Sequence, residues 1–109
     1  MARHKIDRFS AKENKIANYA KSLAHPARIA ILKLLIKKKS CFCGNIVNEL
    51  PLSQSTVSQH LKELKKAGLI QGKISGAKTC YCINYTAWNV AKKSFNYFFT
   101  SVPTTKKCN

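Results

Sequence analysis

Acidic residues are scarce in this 109-residue chain, and their scarcity argues against one broad class of function. Four Asp and Glu residues stand against twenty Lys and Arg residues, which gives a formal net charge of +16, and no acid follows Glu63. The carboxylates form no spaced acid–base pair. There is no recognisable Ser/His/Asp or Cys/His arrangement and no phosphate-binding loop. We therefore expect that the protein is not an enzyme.

The excess of positive charge predicts a polyanionic partner, because a basic field bears on binding rather than on the fold. Nucleic acid is the first candidate partner and an anionic membrane surface is the second. The alternative is that the lysines are only solvated.

Long hydrophobic runs are lacking as well. The longest apolar run, Ile29–Ile36, is interrupted by Lys33 and is far shorter than the ~20 residues that cross a bilayer. No apolar signal core follows the basic N-terminus, so we predict a cytoplasmic protein without a membrane partner. The length predicts a single domain over residues 1–109, with disorder expected only in the polar ends, 1–10 and 103–109.

Hydrophobic spacing predicts helices over the first half of the chain. Apolar residues recur at helical spacing from Ile16 to Leu23, and Pro26 is suited to begin a second, largely apolar helix. A short third helix is predicted within Cys41–Leu50, because Pro51 cannot continue it.

The second half of the chain predicts a helix followed by a hairpin. A helix over Gln54–Ala67 has Ser53 as its N-cap and Gly68 at the position of a C-terminal glycine. Two short strands follow, Leu69–Ile74 and Lys78–Ile83, and a glycine-bearing turn separates them.

The last predicted helix, about Trp88–Val102, carries more aromatic residues than a small core needs. We expect part of its apolar face to contact a second copy of the chain, and packing on the chain's own core is the alternative. The residues expected at the dimer interface are Ile16, Tyr19, Trp88, Phe95 and Phe98. The element order α-α-α-α-β-β-α predicts a mainly α winged helix-turn-helix with a small β-hairpin wing that dimerises through its terminal helices.

The predicted helix over Gln54–Ala67 has an apolar side and a polar side. Val57, Leu61 and Leu64 fall on one side, and hydroxyls, amides and lysines project from the other. The N-terminal part of such a helix contacts base edges in the major groove. The predicted base-reading residues are Gln54, Ser55, Thr56, Ser58 and Gln59. The predicted phosphate-binding residues are Lys62, Lys65 and Lys66, with Lys73 and Lys78 of the hairpin on the DNA backbone or minor groove. A solvated polar face is the alternative.

Two segments carry a family resemblance. Leu23–Leu32, with the sequence LAHPARIAIL, resembles the second-helix signature of the ArsR/SmtB repressors. Leu52–Leu64, with the sequence LSQSTVSQHLKEL, resembles the recognition segment of that family. Ala67–Ile70 matches the step into the family's wing, in which Gly76 and Tyr81 stand where Gly and Tyr are usual.

The resemblance covers Ala20–Asn84 well and the outer helices by pattern only. It implies a homodimeric winged-helix repressor that binds double-stranded operator DNA. In this family an effector, often a metal or metalloid ion, releases the DNA. The first and last helices usually build the dimer, which agrees with the aromatic face described above.

Five cysteines are an odd number at low density, and without an export signal they favour free thiols, metal ligands or redox sensors over a disulfide framework. The resemblance implies that Cys41 and Cys43 occupy the Cys-x-Cys position of arsenic- and cadmium-type members, at the start of the helix before the turn. A helix N-terminus and the lysines at 37–39 would lower thiol pKa values and favour thiolate, which suits soft ions. We predict that these two residues bind As(III), Sb(III) or another thiophilic ion as effector, with no obligatory cofactor. The alternative is a capping and core role.

The match to the arsenic-type site is incomplete. The position of a third cysteine holds Ile46, and an acidic position holds Gly44. A three-sulfur site therefore needs a donor from Cys80, Cys82 or Cys108. Cys80 and Cys82 share one face of a strand, and that face points away from the core if Tyr81 and Ile83 pack inward. The two cysteines are then either a second thiol pair or incidental residues of a polar face.

Several alternatives stay open from sequence. The chain could be a thiol-redox-responsive or ligand-independent regulator without a metal, or a basic protein that binds DNA without sequence preference. The family's Asp, His and Glu site in the last helix has no counterpart in Trp88–Val102. His25 is expected to serve a helix start, and His60 is expected at the edge of a core face.

Overall fold

A computed structural model of the protein describes residues 8–38, 41–76 and 78–105. The described part of the chain forms four α-helices and one two-stranded antiparallel sheet, as a winged helix-turn-helix does. The elements are α1 (Ala11–Leu23), α2 (Pro26–Lys38), a 3₁₀ helix (Ile46–Glu49), α3 (Gln54–Lys66), β1 (Ile70–Ser75), β2 (Lys78–Ile83) and α4 (Tyr85–Thr100).

The core lies where α2, α3 and the hairpin meet. Its most completely buried side chains are aliphatic, and three elements and the loop between α3 and β1 contribute them. They are Ile31, Leu35, Val57, Leu64, Leu69 and Ile70. Tyr19, Trp88 and Phe95 pack against this cluster from α1 and α4. The two terminal helices therefore cover one side of the core.

Helix ends follow the residues that cap them. The Ser10 hydroxyl accepts from the Glu13 amide at 3.1 Å, and the Ser10 amide donates to the Glu13 carboxylate at 3.0 Å, which is a capping box. The side chain of Ser53 caps the N-terminus of α3. After its C-terminus, Gly68 adopts the left-handed conformation with a φ of +85°. Asn84 caps α4, so this helix begins at Tyr85, three residues earlier than the apolar pattern predicts.

The prediction of an α-helix within Cys41–Leu50 is wrong. Cys41–Cys43 is extended, and the amide and carbonyl of Phe42 bond to those of Tyr81 at 2.7 and 3.0 Å. Only a single 3₁₀ turn follows at Ile46–Glu49, with Asn45 as its N-cap. Pairing with β2 satisfies the backbone of Phe42, and this long-range partner is invisible to local periodicity.

The predicted disordered ends lie partly outside the described residues, which exclude 1–7 and 106–109. Ser10 belongs to the cap of α1, so the ordered chain begins before Ala11. Within the described residues, no helix combines the length and apolar character that a membrane span requires.

Truncating Leu64 tests whether the buried face of α3 holds the fold together. Leu64 is 0% exposed, so we expect Leu64→Ala to lower the free energy of unfolding by about 2–5 kcal/mol. Ile74→Ala is the control, because Ile74 is 85% exposed and its truncation should change stability by less than about 0.5 kcal/mol. Urea unfolding followed by circular dichroism measures both values, and equal losses would contradict this account of the core.

Candidate nucleic-acid interface and cysteine cluster

The two sides of α3 are separated as the sequence predicts. Val57, His60, Leu61 and Leu64 are buried against the core. The opposite side is exposed at Gln54, Ser55, Ser58, Gln59, Lys62, Lys65 and Lys66. The helix thus presents hydroxyl, amide and ammonium groups to solvent along its whole length, which is the arrangement that a helix needs to contact DNA.

Hydrogen bonds orient the side chains at the start of α3. Gln54 Nε2 donates to Ser58 Oγ at 3.2 Å, and the Ser53 hydroxyl donates to Thr56 Oγ1 at 2.9 Å. Thr56 is half-buried, so it contributes to the helix cap more than to the exposed face. Gln59 Nε2 donates to Glu63 Oε2 at 3.4 Å.

The hairpin places its two lysines at and near its tip. Lys78 pairs in register with Ser75, next to the turn in which Gly76 has a φ of +63°, and Lys73 pairs with Cys80. Both lysines are exposed. Lys65 of α3 approaches the hairpin, since a Cβ built on Gly72 would lie 3.4 Å from its Nζ. Lys65 therefore places a positive charge of α3 beside the wing.

Arg28 ties three helical segments together behind α3. Its Nε donates to His60 Nδ1 at 3.1 Å, and its Nη1 donates to the carbonyls of Lys21 and Ser22 at 3.2 and 3.3 Å. The ring of His25 lies 4.4 Å from that of His60, centroid to centroid. Burial lowers the pKa of His60 below its usual 6.5, and the neighbouring charges of His25 and Arg28 lower it further. His60 is therefore a neutral hydrogen-bond acceptor in the fold.

His25 also has the helix-start role that the sequence predicts. Its Nδ1 accepts a hydrogen bond from the Ala27 amide at 3.0 Å, which satisfies one of the free donors in the first turn of α2. The contact between His25 and His60 has no sequence signal, because 35 positions of chain separate the two rings.

Four of the five cysteines lie together in two disulfides. Cys41 pairs with Cys82 and Cys43 pairs with Cys80, with Cα–Cα distances of 4.3 and 4.1 Å. The preference for free thiols over disulfides is therefore wrong for these four residues in this structure. Cys108 lies outside the described residues.

The surroundings of the cysteines differ in part from the predicted ones. Tyr81 and Ile83 pack in the core, so Cys80 and Cys82 lie on the other face of β2, yet they are only 3% and 8% exposed and each is bonded to the segment that pairs with the edge of β2. Cys41 and Cys43 lie in an extended segment, so no helix N-terminus acts on their thiols. The Nζ of Lys38 lies 5.2 Å from the centre of the ring of Phe42, the residue between Cys41 and Cys43.

The predicted dimer residues fall into two groups. Tyr19, Trp88 and Phe95 are half-buried within their own chain, and the rings of Tyr19 and Phe95 are 6.5 Å apart. Ile16 is half-buried, whereas Phe98 is 54% exposed. The exposed apolar residues at the end of α4 are Tyr97, Phe98, Phe99 and Val102. Tyr19, Trp88 and Phe95 thus pack on the core of their own chain, which is the alternative given above to a dimer contact.

Comparison with known proteins assigns the family. The family model described as "Bacterial regulatory protein, arsR family" matches residues 25–71, which run from the start of α2 into β1. An HTH-type transcriptional regulator of Methanocaldococcus jannaschii is 41% identical over 72 residues, which cover 66% of this chain and 81% of that protein. The chain belongs to the arsR family. The predicted resemblance and the winged helix-turn-helix fold are both confirmed.

Two further comparisons show what this arsR-family protein is similar to. The transcriptional repressor PagR of Bacillus anthracis is 37% identical over 81 residues, which cover 74% of this chain and 79% of PagR. The structure of the cadmium metal-sensor CmtR of Mycobacterium tuberculosis superposes with a TM-score of 0.53 and 27% identity, covering 85% of this chain and 95% of CmtR. The protein is a DNA-binding transcriptional repressor of this family, and the prediction that it is not an enzyme is confirmed.

The lowered pKa of His60 predicts that this arsR-family protein loses stability in mild acid. Below pH 6.5 the unfolded chain binds a proton at His60 that the folded chain resists, so the free energy of unfolding falls as the pH drops toward the folded-state pKa. His60→Gln keeps an acceptor for Arg28 and cannot titrate. We expect a shallower decline for this variant between pH 7.5 and 5.5 in urea unfolding. Parallel curves for the two proteins would contradict the prediction.

Proposed function

We propose that the protein is a homodimeric, cytoplasmic repressor that binds specific operator DNA and is released by a thiophilic effector. The observation that carries the DNA-binding part is the exposed polar and basic side of α3, on a helix whose other side is fixed by burial. A net charge of +16 supports attraction to the DNA backbone.

In this proposal α3 enters the major groove and the hairpin follows the adjacent backbone. The base-reading residues are Gln54, Ser55, Thr56, Ser58 and Gln59. The phosphate-binding residues are Lys62 and Lys66 on α3, and Lys73 and Lys78 on the wing. The dimer presents two copies of α3, which suits two half-sites about 34–36 Å apart.

The proposed dimer forms through the terminal helices. Exposed aromatic side chains at the end of α4, Phe98 among them, leave an apolar surface beside the half-buried Phe95, whose ring lies against those of Phe99 and Tyr19. Ile16 and Trp88 are the other proposed interface residues. Such a surface is typical of an interaction site. α1 and α4 carry it, so it does not compete with α3 for DNA.

The proposed effector is a soft ion, As(III), Sb(III) or a similar thiophilic species, bound at Cys41 and Cys43 when their thiols are reduced. These residues directly precede the 3₁₀ helix that leads into α3, so an ion bound there acts on the approach to the recognition helix. The likeness to the cadmium sensor CmtR supports a metal-type effector. No cofactor is required for DNA binding in this proposal.

A second candidate function is thiol-redox control without a metal, and the two disulfides favour it. Each disulfide forms when a pair of thiols loses two protons and two electrons. Hydrogen peroxide accepts them and is reduced to two molecules of water. Oxidation would then link Cys41–Cys43 to β2 and change the DNA affinity.

Substitutions on α3 and the wing test the proposed DNA contacts. Gln59→Ala should cost about 1–3 kcal/mol of binding to operator DNA and little on unrelated DNA, because it removes a base contact. Lys78→Ala should weaken binding to operator DNA and to unrelated DNA alike. It should also reduce the slope of log binding constant against log salt concentration by about one unit, because one phosphate contact is lost. Fluorescence anisotropy with a duplex from upstream of the protein's own gene measures each affinity.

Lys33→Ala is the matched control for lost positive charge. Lys33 is exposed on the side of α2 opposite the buried Ile31 and Leu35, and α2 and α3 pack through their buried sides. Its loss should leave the salt slope unchanged. Equal effects of the Lys33 and Lys78 substitutions would indicate attraction by net charge without a defined interface.

Arsenite added to the reduced protein–DNA complex separates the two candidate effectors. We expect arsenite to release the DNA from the wild-type protein and to fail with Cys41→Ser or Cys43→Ser, both of which should still bind DNA. Release by hydrogen peroxide but not by arsenite would favour redox control. DNA binding that ignores both agents would contradict thiol regulation in either form.

A further inference from the structure

The four paired cysteines occupy one face of a small antiparallel patch. Phe42 and Tyr81 form its central hydrogen-bonded pair, so their neighbours on each strand face one another across the patch. Cys41 lies opposite Cys82, and Cys43 lies opposite Cys80. Alternation along a strand puts all four side chains on the same face, because residues i and i+2 share a face.

The distances between these residues suit a single metal ion. Cα atoms are 4.1 and 4.3 Å apart across the patch, and residues i and i+2 of a strand are about 6.5–7 Å apart. Side chains that already meet in pairs need only rotate toward the centre of the patch to enclose an ion with metal–sulfur bonds of about 2.3 Å.

We infer that in the reduced protein Cys41, Cys43, Cys80 and Cys82 together form one four-thiolate site for a thiophilic divalent cation such as Cd²⁺ or Zn²⁺. Four sulfur donors match the tetrahedral coordination of these ions, whereas trivalent arsenic forms three bonds to thiolates. Binding converts four thiols to thiolates, releases four protons and leaves a site of net charge −2. The inference deepens the proposed function by supplying the donors that Cys41 and Cys43 lack.

The surroundings of the patch fit this charge and allow entry. Lys73 pairs in register with Cys80 and therefore shares its face of the sheet, which places a basic residue beside the site. Cys80 and Cys82 are buried, whereas Cys43 is exposed and Cys41 is half-buried. An ion therefore enters from the side of the extended segment and meets a buried pair of thiolates behind it.

The redox state of the cysteines decides whether this site exists. With the cysteines joined as disulfides, the described part of the chain holds no group of three or more His, Cys, Asp or Glu residues able to bind a metal ion. Oxidation and metal binding therefore exclude each other at the same four sulfurs. A bound ion would hold the segment that leads into α3 against β2 of the wing, and so link the two proposed DNA-contacting elements.

The site is tested with the full-length, fully reduced protein titrated anaerobically with CdCl₂. We expect one Cd²⁺ per chain, with a sulfur-to-metal charge-transfer band in the ultraviolet. We also expect protection of all four cysteines from iodoacetamide, mapped by mass spectrometry of the wild-type protein. Protection of Cys41 and Cys43 alone, or no charge-transfer band, would overturn the inference. The wild-type readout needs no variant that might fail to fold.

Serine variants then assign the donors. The double variant Cys80→Ser/Cys82→Ser should bind Cd²⁺ at least about tenfold more weakly, since loss of an outer-shell partner alone costs about 10–100-fold. Cys108→Ser is the matched control and should bind as the wild type does. Unchanged Cd²⁺ affinity in the double variant, with its fold intact by circular dichroism, would contradict the four-cysteine site.

DNA anisotropy on the same samples distinguishes failure of this inference from failure of the proposed function. A Cd²⁺ site in a protein that does not bind operator DNA leaves the inference standing and contradicts the proposed repressor. Operator binding without four-cysteine protection contradicts the inference alone. Peroxide-oxidised protein should bind no Cd²⁺, and binding by that form would also overturn the inference.

Discussion

The burial of one side of α3 fixes the orientation of the candidate DNA-binding surface. Val57, Leu61 and Leu64 are between 0% and 7% exposed, and burial of each such side chain is worth about 1.5–3 kcal/mol. Turning the helix by one residue, about 100°, would expose these side chains and carry lysines toward the core. The polar side of α3 therefore faces solvent because the apolar side cannot. The wing lies beside this surface, since β1 begins immediately after the turn at Gly68.

A polar contact completes this arrangement at the edge of the core. Arg28 bonds to His60 on α3 and to two carbonyls at the end of α1, so one guanidinium holds three helices in a fixed relation. Neutral His60 accepts the bond, and the lowered pKa follows from its burial near two other basic side chains. The recognition helix is thus held by apolar packing along its length and by one directional bond on its flank.

The extended segment Cys41–Cys43 gives the chain a second connection between its DNA-facing elements. Its pairing with Tyr81 makes β2 the middle of a three-stranded patch, with β1 on one side and residues 41–43 on the other. The ring of Phe42 folds over Gly44, where a Cβ would lie 2.7 Å from the ring. Glycine at this position leaves room for the ring of Phe42 in this orientation. Any chemistry at the cysteines acts on the approach to α3 and on the wing together.

Local sequence patterns were enough to predict the helices and the hairpin outside Cys41–Leu50, the two sides of α3 and the family. These features depend on local properties, namely helical periodicity, side-chain chemistry and capping residues such as Ser53 and Gly68. Local properties can be predicted from the sequence alone. The extended conformation of Cys41–Cys43 and its contact with Cys80 and Cys82 are visible only in the folded chain. The same holds for the contact of Arg28 with His60. These contacts join residues more than thirty positions apart, and the free energy of such pairing depends on where the rest of the chain has placed the partner.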